Sequence, residues 1–137
     1  MAFTVRRIDY FYTTVKDSPG VGYEMLSRLA ELNVNLVAIT AVPFGPARTQ
    51  LTVFPDDTAK MQHVAEQANI PLDGPHPALV VQGDDEVGAL AGIHEKLLDA
   101  NVHVFASTGV ADGRGGYGYI IYVRPEEYEL AAGALDV

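Results

Sequence analysis

The sequence has no cysteine. That rules out disulfides and thiolate chemistry and fits a reducing compartment. It is also poor in basic residues: nine Lys and Arg face 18 Asp and Glu, for a net charge of −9. Nucleic-acid binding depends on clustered Lys and Arg that neutralise phosphates. Arg6-Arg7 is the only adjacent basic pair, so no nucleic-acid partner is expected, and the acidic balance serves solubility. No apolar run approaches the roughly 18 residues of a membrane-spanning helix, so no membrane partner is expected either. Met1-Ala2-Phe3-Thr4 leads straight into a strand-like segment, without the basic and apolar regions of a secretory signal. Together these absences predict a cytoplasmic protein.

What is present is a folded composition with an internal repeat. Hydrophobic residues make up 48% of the 137 positions, too many for a disordered chain. Asp17-Ser18-Pro19-Gly20 opens a helical run that ends at Asn33-Val34-Asn35-Leu36. A second copy starts 68 positions later at Asp85-Glu86-Val87-Gly88 and ends at Asn101-Val102-His103-Val104. Asp17 pairs with Asp85, Gly20 with Gly88, Leu29 with Leu97, Asn33 with Asn101, Val34 with Val102, Ala38 with Ala106 and Thr40 with Thr108. The apolar rhythm is kept between them. A later match of Val53-Phe54-Pro55 to Val123-Arg124-Pro125 requires a two-residue insertion. So long a period excludes a solenoid and implies one small domain used twice. A half of this size buries only about 60% of its unfolded surface, so the halves are expected to pack on each other, and the chain on a second copy as a homodimer.

Val5 to Val15 alternates as a strand, with Ile8, Tyr10, Tyr12 and Thr14 on one face and Asp9, Phe11 and Thr13 on the other. Asp17 is the expected N-cap of the first helix, with Pro19 in its first turn. Met25, Leu26, Leu29 and Leu32 form its core stripe, and Asn33 ends it in the left-handed conformation. Asn35 to Val42 and Arg48 to Phe54 make a hairpin. A second helix follows, with Met61, Val64, Ala65 and Ala68 inward. Ile70-Pro71-Leu72 reads as a short closing strand, and Asp73-Gly74-Pro75-His76-Pro77 as a linker. The second half repeats this order through a strand Ala78 to Gln82, a helix Gly88 to Ala100, a strand Val102 to Thr108 and a flexible hairpin loop Asp112 to Gly116. Val137 arrives before a closing strand. The reading is α+β: two ferredoxin-like βαββαβ sandwiches, residues 1–72 and 73–137, with their sheets side by side.

The remaining motifs have structural readings. His63, His76, His94 and His103 show no metal-ligand spacing. His94 aligns with Leu26 and is expected to be partly buried; His103 aligns with Asn35 on a strand. The glycines from Gly113 to Gly118 lie between strands rather than before a helix, so they are a hairpin loop and not a phosphate cradle. Asp84-Asp85-Glu86 and Glu126-Glu127 stand at helix starts, where carboxylates complement the dipole. No nucleophile has a base and an orienting group, so no enzyme and no cofactor is expected.

The strand, the Asp17-Ser18-Pro19-Gly20 turn, the amphipathic helix and Asn33-Val34-Asn35-Leu36 resemble the ACT domain family. So does the second copy, Asp85-Glu86-Val87-Gly88 with Asn101-Val102-His103-Val104. The resemblance spans nearly the whole chain as a tandem pair. It implies a regulatory protein that binds an amino acid or related metabolite at a domain or dimer interface and passes occupancy to a regulated enzyme partner. Carried over, Asp17, Ser18, Pro19, Gly20 and Val21 form one ligand turn, and Asp85, Glu86, Val87, Gly88 and Ala89 the other. Asn33, Asn35, Asn101 and His103 stand at the starts of the following strands. Val87 replaces Pro19, so the first copy is the expected ligand holder. A helix start with free N–H groups suits a carboxylate, and Gly20 and Gly88 allow close approach to the backbone. The alternatives are a ligand-free interaction module, and a small enzyme on the same scaffold.

Overall fold

A computed structural model describes residues 2–137 of the chain. The elements are β1 (Phe3–Lys16), α1 (Val21–Glu31), β2 (Leu36–Pro43), β3 (Arg48–Pro55), α2 (Thr58–Gln67), β4 (Asp73–Asp84), α3 (Ala89–Asp99), β5 (Val104–Ala111), β6 (Gly116–Val123), a 3-10 turn (Pro125–Glu127) and α4 (Tyr128–Ala134). The fold is α+β, and its strands are antiparallel. Two compact units are present. The first is Asp9–His76; the second is Pro77–Val137 together with the residues up to Ile8. These bounds differ from the halves 1–72 and 73–137 at both ends, because β1 and β4 each contribute to both units.

In the first unit the strand order is β2-β3-β1-β4. The core joins Phe11 of β1, Leu29 of α1, Val53 of β3 and Met61 of α2, with Val34 and Ile70. Met25, Leu32, Val64, Ala65 and Ala68 pack against it, as helical spacing requires. Leu26 does not join this core; it is 40% exposed, because it lies at the edge of the helical stripe. The closing strand is not Ile70-Pro71-Leu72, which is irregular, but Asp73–His76 of β4. The residues read as a linker are therefore a strand. Pro75 is tolerated because β4 is the outer strand of this unit, where a missing N–H leaves no ladder partner unpaired. Gly74 is needed for contact: a Cβ there would lie 2.7 Å from the Phe11 ring and 2.8 Å from the Tyr10 carbonyl oxygen.

The second unit is also four-stranded. Its closing strand, absent from the sequence reading, is Phe3–Ile8 of β1, next to β4 in the order β1-β4-β6-β5. The Asp84 amide donates to the Ala2 carbonyl at 3.2 Å, and Phe3 and Val5 pack on the core of Leu79, Val81, Ile93, Leu97, Tyr119 and Ile121. Arg7 ties this strand to α4: its guanidinium meets the Glu129 carboxylate through two bonds of 2.6 and 2.9 Å, and also donates to the Val137 carbonyl at 3.2 Å.

The two hairpins share one register. Leu36 faces Pro55 and Pro43 faces Thr49; 68 positions on, Val104 faces Val123 and Ala111 faces Tyr117. Even the irregularity after the first pair recurs, at Leu36/Ala38 and Val104/Ala106. The two-residue insertion is therefore not present: Pro55 corresponds to Val123. Among the described residues no helix is long and apolar enough to cross a membrane.

The Arg7 hydrogen bonds hold the Glu129 carboxyl below its ordinary 4.5. A carboxyl lowered in the folded state stabilises above its unfolded pKa and loses that contribution as pH falls through the folded value. An NMR titration is expected to place the Glu129 midpoint below 4.5, and Arg7→Ala to return it to that value. A midpoint unmoved by Arg7→Ala would show that the tie is absent in solution.

Candidate functional site

Both turns singled out in the sequence have the same backbone. Gly20 and Gly88 are left-handed, at φ 88° and 84°, and each is the N-cap of its helix. Asp17 is not the cap: neither α1 nor α3 has a side-chain cap hydrogen bond. The reason is geometric, since the left-handed glycine occupies the cap position and the aspartate lies three residues upstream. Instead, the Asp17 amide donates to the Ala47 carbonyl and the Asp85 amide to the Gly115 carbonyl, both at 2.9 Å. Each turn is thereby pinned to the hairpin loop of its own unit. By contrast, the Asp57 carboxylate caps α2, accepting from the Lys60 amide at 3.0 Å. The first amide of each helix turns back on the chain, Val21 donating to the Ser18 carbonyl at 3.4 Å and Ala89 to the Glu86 carbonyl at 3.1 Å; the amides that follow in the first turn have no side-chain cap.

A cleft of about 400 Å³ opens at the second turn. It is walled by Asp85, Glu86, Gly88 and Ala89 on one side and by Gly109, Val110, Tyr117 and Gly118 of the β5–β6 hairpin on the other. A Cβ at Gly88 or Gly118 would meet nothing within 4 Å, so both glycines leave space. The first unit carries Gln50 in the register position of Gly118. Partial burial, with Asp84 and Glu86 nearby, holds the Tyr117 phenol above its ordinary 10.0, so its hydroxyl stays protonated and available as a donor. Within the adjoining loop the Asp112 carboxylate accepts from the Arg114 and Gly116 amides at 2.6 and 3.1 Å. The Tyr117 and Gly109 contributions have no local signal, because they arrive through hairpin pairing.

The other expected site residues lie elsewhere. Ser18 and Pro19 lie in the turn ahead of the cap Gly20, so Pro19 precedes α1 and is not in its first turn; Val21 is the first residue of the helix, and Asn33 and Asn35 follow its far end. An 11-residue helix at 1.5 Å per residue separates the two groups by about 16 Å. Asn101 and His103 stand at the same remove from Asp85. Asn33 and Asn101 are left-handed at φ 61° and 59°, which makes them helix terminators. The Asn35 carbonyl accepts from the Asp56 amide at 3.0 Å, and the His103 amide donates to the Glu127 carboxylate at 3.2 Å. No single small ligand within one unit reaches both ends.

His94, expected to be partly buried, is so, with its Nε2 2.6 Å from the Tyr119 hydroxyl. His76 stacks on Tyr12 with ring centroids 5.3 Å apart and bonds to Asp73 at 2.9 Å. Hydrogen bonds from Tyr12 and His76 hold Asp73 below its ordinary value. Among the described residues no three His, Cys, Asp or Glu are grouped to hold a metal.

No protein-family model matches the sequence, and none of the curated proteins does. Solved structures do resemble it. A Bacteroides thetaiotaomicron protein, BT0572, aligns over 96% of this chain and 88% of its own, at TM-score 0.80 and 17% identity. The regulatory subunit of aspartate kinase from Thermus thermophilus aligns over 98% and 94%, at TM-score 0.61 and 16% identity. Aspartokinase alpha and beta subunits align over 100% and 99%, at TM-score 0.59 and 19% identity. The likeness is one of fold. It supports an ACT-like α+β architecture along nearly the full chain.

The left-handed asparagines give a direct test. Asn33→Ala and Asn101→Ala are each expected to cost about 1–2 kcal/mol, since a Cβ with no local hydrogen bond disfavours that backbone. Asn33→Gly should be close to neutral. Chemical denaturation reads all three, and an Ala variant as stable as the parent would refute the terminator role.

Proposed function

We propose that the protein is a non-enzymatic regulatory protein of tandem ACT type that binds an amino acid or related small metabolite beside Asp85–Ala89. The observation that carries this reading is the coincidence of an uncapped helix start with a cleft of about 400 Å³. A ligand carboxylate suits the positive end of α3 and the first-turn amides that follow Ala89. An ammonium group suits the Asp85 and Glu86 carboxylates, and Leu90 and Val110 at the rim offer apolar contact to a side chain. The fold shared with a regulatory subunit of aspartate kinase agrees with this role. In this reading the second copy holds the ligand, because a cleft opens beside Gly118, at the register position where the first unit carries the larger Gln50.

Binding would act on a partner enzyme by favouring whichever arrangement holds the ligand better, and only differential affinity shifts such a balance. The proposal includes a cytoplasmic homodimer. Its basis is the edge strand β5, where Phe105 and Val110 are exposed, since bare apolar edges favour pairing with another chain. The same exposed edge favours a second reading, an interaction module that needs no ligand.

A thermal-shift and calorimetric screen of the standard amino acids separates the two. At least one amino acid is expected to bind saturably. Gly118→Gln should abolish that binding with little loss of stability, because a Cβ at Gly118 meets nothing within 4 Å. Gln50→Gly should have no effect on it. Binding that survives Gly118→Gln would refute the assigned cleft, and no binding by any amino acid would favour the interaction module.

A further inference from the structure

Along the other end of α3 runs a separate groove of about 330 Å³, lined by His94, Leu97, Leu98, Val102, His103 and Val104. Its volume falls in the range of small-molecule sites. His94 is held from behind. Its Nε2 lies 2.6 Å from the Tyr119 hydroxyl, which donates to Ser107 Oγ at 2.9 Å. A phenol has one proton. With that proton directed to Ser107, the Tyr119 oxygen accepts from His94 Nε2–H, and His94 Nδ1 keeps its lone pair. A hydrogen bond on one ring nitrogen fixes the tautomer and presents the other nitrogen.

The fold does not require this polar chain. In the first unit the corresponding positions are Leu26, Ile39 and Leu51, as the shared hairpin register shows: Ala41 faces Leu51 where Gly109 faces Tyr119. Tyr119 is only 6% exposed, and burying a hydroxyl is unfavourable unless it is bonded. Three apolar residues are thus replaced together by three that bond one another, at a groove wall.

The electrostatics of the groove favour a cation. Among the described residues no Lys or Arg lines it, it lies along the C-terminal half of α3 where the helix dipole is negative, and the chain carries −9. A metal ion would find too few ligands, since among the described residues no three His, Cys, Asp or Glu are grouped to hold one. We propose that this groove binds a small primary amine, as the ammonium ion, with an apolar body. The ammonium donates to His94 Nδ1, while the body lies on Leu97, Leu98, Val102 and Val104. Leu98, 73% exposed in the free protein, is covered when the amine binds.

The test titrates the whole protein with 3-methylbutylamine, using 3-methylbutanoate as the same skeleton with opposite charge. Calorimetry gives affinity, and NMR follows the imidazole signals. The amine is expected to bind saturably, to shift the His94 ring resonances, and to bind at least about tenfold more tightly than the acid. His94→Leu installs the residue the first unit already carries at this position and should weaken the amine at least about tenfold. Tyr119→Phe, which keeps the ring and frees the imidazole, should weaken it too, and carries the test if His94→Leu fails to fold. Gly118→Gln, which fills the turn cleft, should leave amine binding unchanged. Absence of saturable binding, equal binding of the acid, or undiminished affinity in both Tyr119→Phe and a folded His94→Leu overturns the proposal.

Discussion

The passage from strand to helix at a left-handed glycine is the constraint on which much of each unit rests. At Gly20 and Gly88 the backbone takes φ near 85°, a conformation that costs an L side chain energy and costs glycine little. Because glycine holds the cap position, no side chain caps the helix. Because the upstream aspartate amide is bonded to the hairpin loop, the helix start is held close to the end of its own sheet. One backbone choice therefore fixes the helix entry, leaves it without a side-chain cap, and sets it beside the hairpin. The helix exit is fixed in the same way by Asn33 and Asn101. With both ends set, Leu29 and Leu97 fall at the same depth, each 1% exposed.

That shared frame makes the differences between units informative. Where the frame dictates a residue, both copies agree: Gly, Leu, Asn and Val recur at matching positions. Where it does not, they diverge. Gln50 gives way to Gly118 beside a helix start, and Leu26, Ile39 and Leu51 give way to His94, Ser107 and Tyr119 along a helix flank. The first change opens space. The second places a hydrogen-bonded chain behind an imidazole. Neither is required for burial, since the other unit packs without it.

Much of the fold was legible because its signals are local. Alternation of Phe11 and Thr13 against Tyr10 and Tyr12 marks β1, and helical spacing of Met61, Val64, Ala65 and Ala68 marks the inner face of α2. Asn33 and Asn101 announce helix ends by their tolerance of the left-handed region. Leu26 was misread because a four-residue apolar stripe is wider than the strip of helix that the sheet covers. Asp73 to Pro77 was misread as a linker because Gly and Pro suggest turns, whereas an outer strand accepts proline and a close ring contact demands glycine. Of the candidate site, the turn residues were legible and their cleft partners were not. Tyr117, Gly109 and Gly118 join the turn only through strand pairing, and Asn33 and Asn35 are parted from it by the length of a helix.

By itself, then, the sequence determined the element order, the inward faces, the positive-φ turns and the repeat, since each follows from spacing or from the allowed backbone of one residue. Only the tertiary structure decided which segments close the sheets, Asp73–His76 in one unit and Phe3–Ile8 in the other. It also decided that a cleft opens beside Gly88, and that His94, Tyr119 and Ser107 meet. These outcomes depend on hydrogen bonds and packing between residues far apart in the chain. A strand records in its sequence which face is apolar, but not which neighbour will accept its backbone hydrogen bonds.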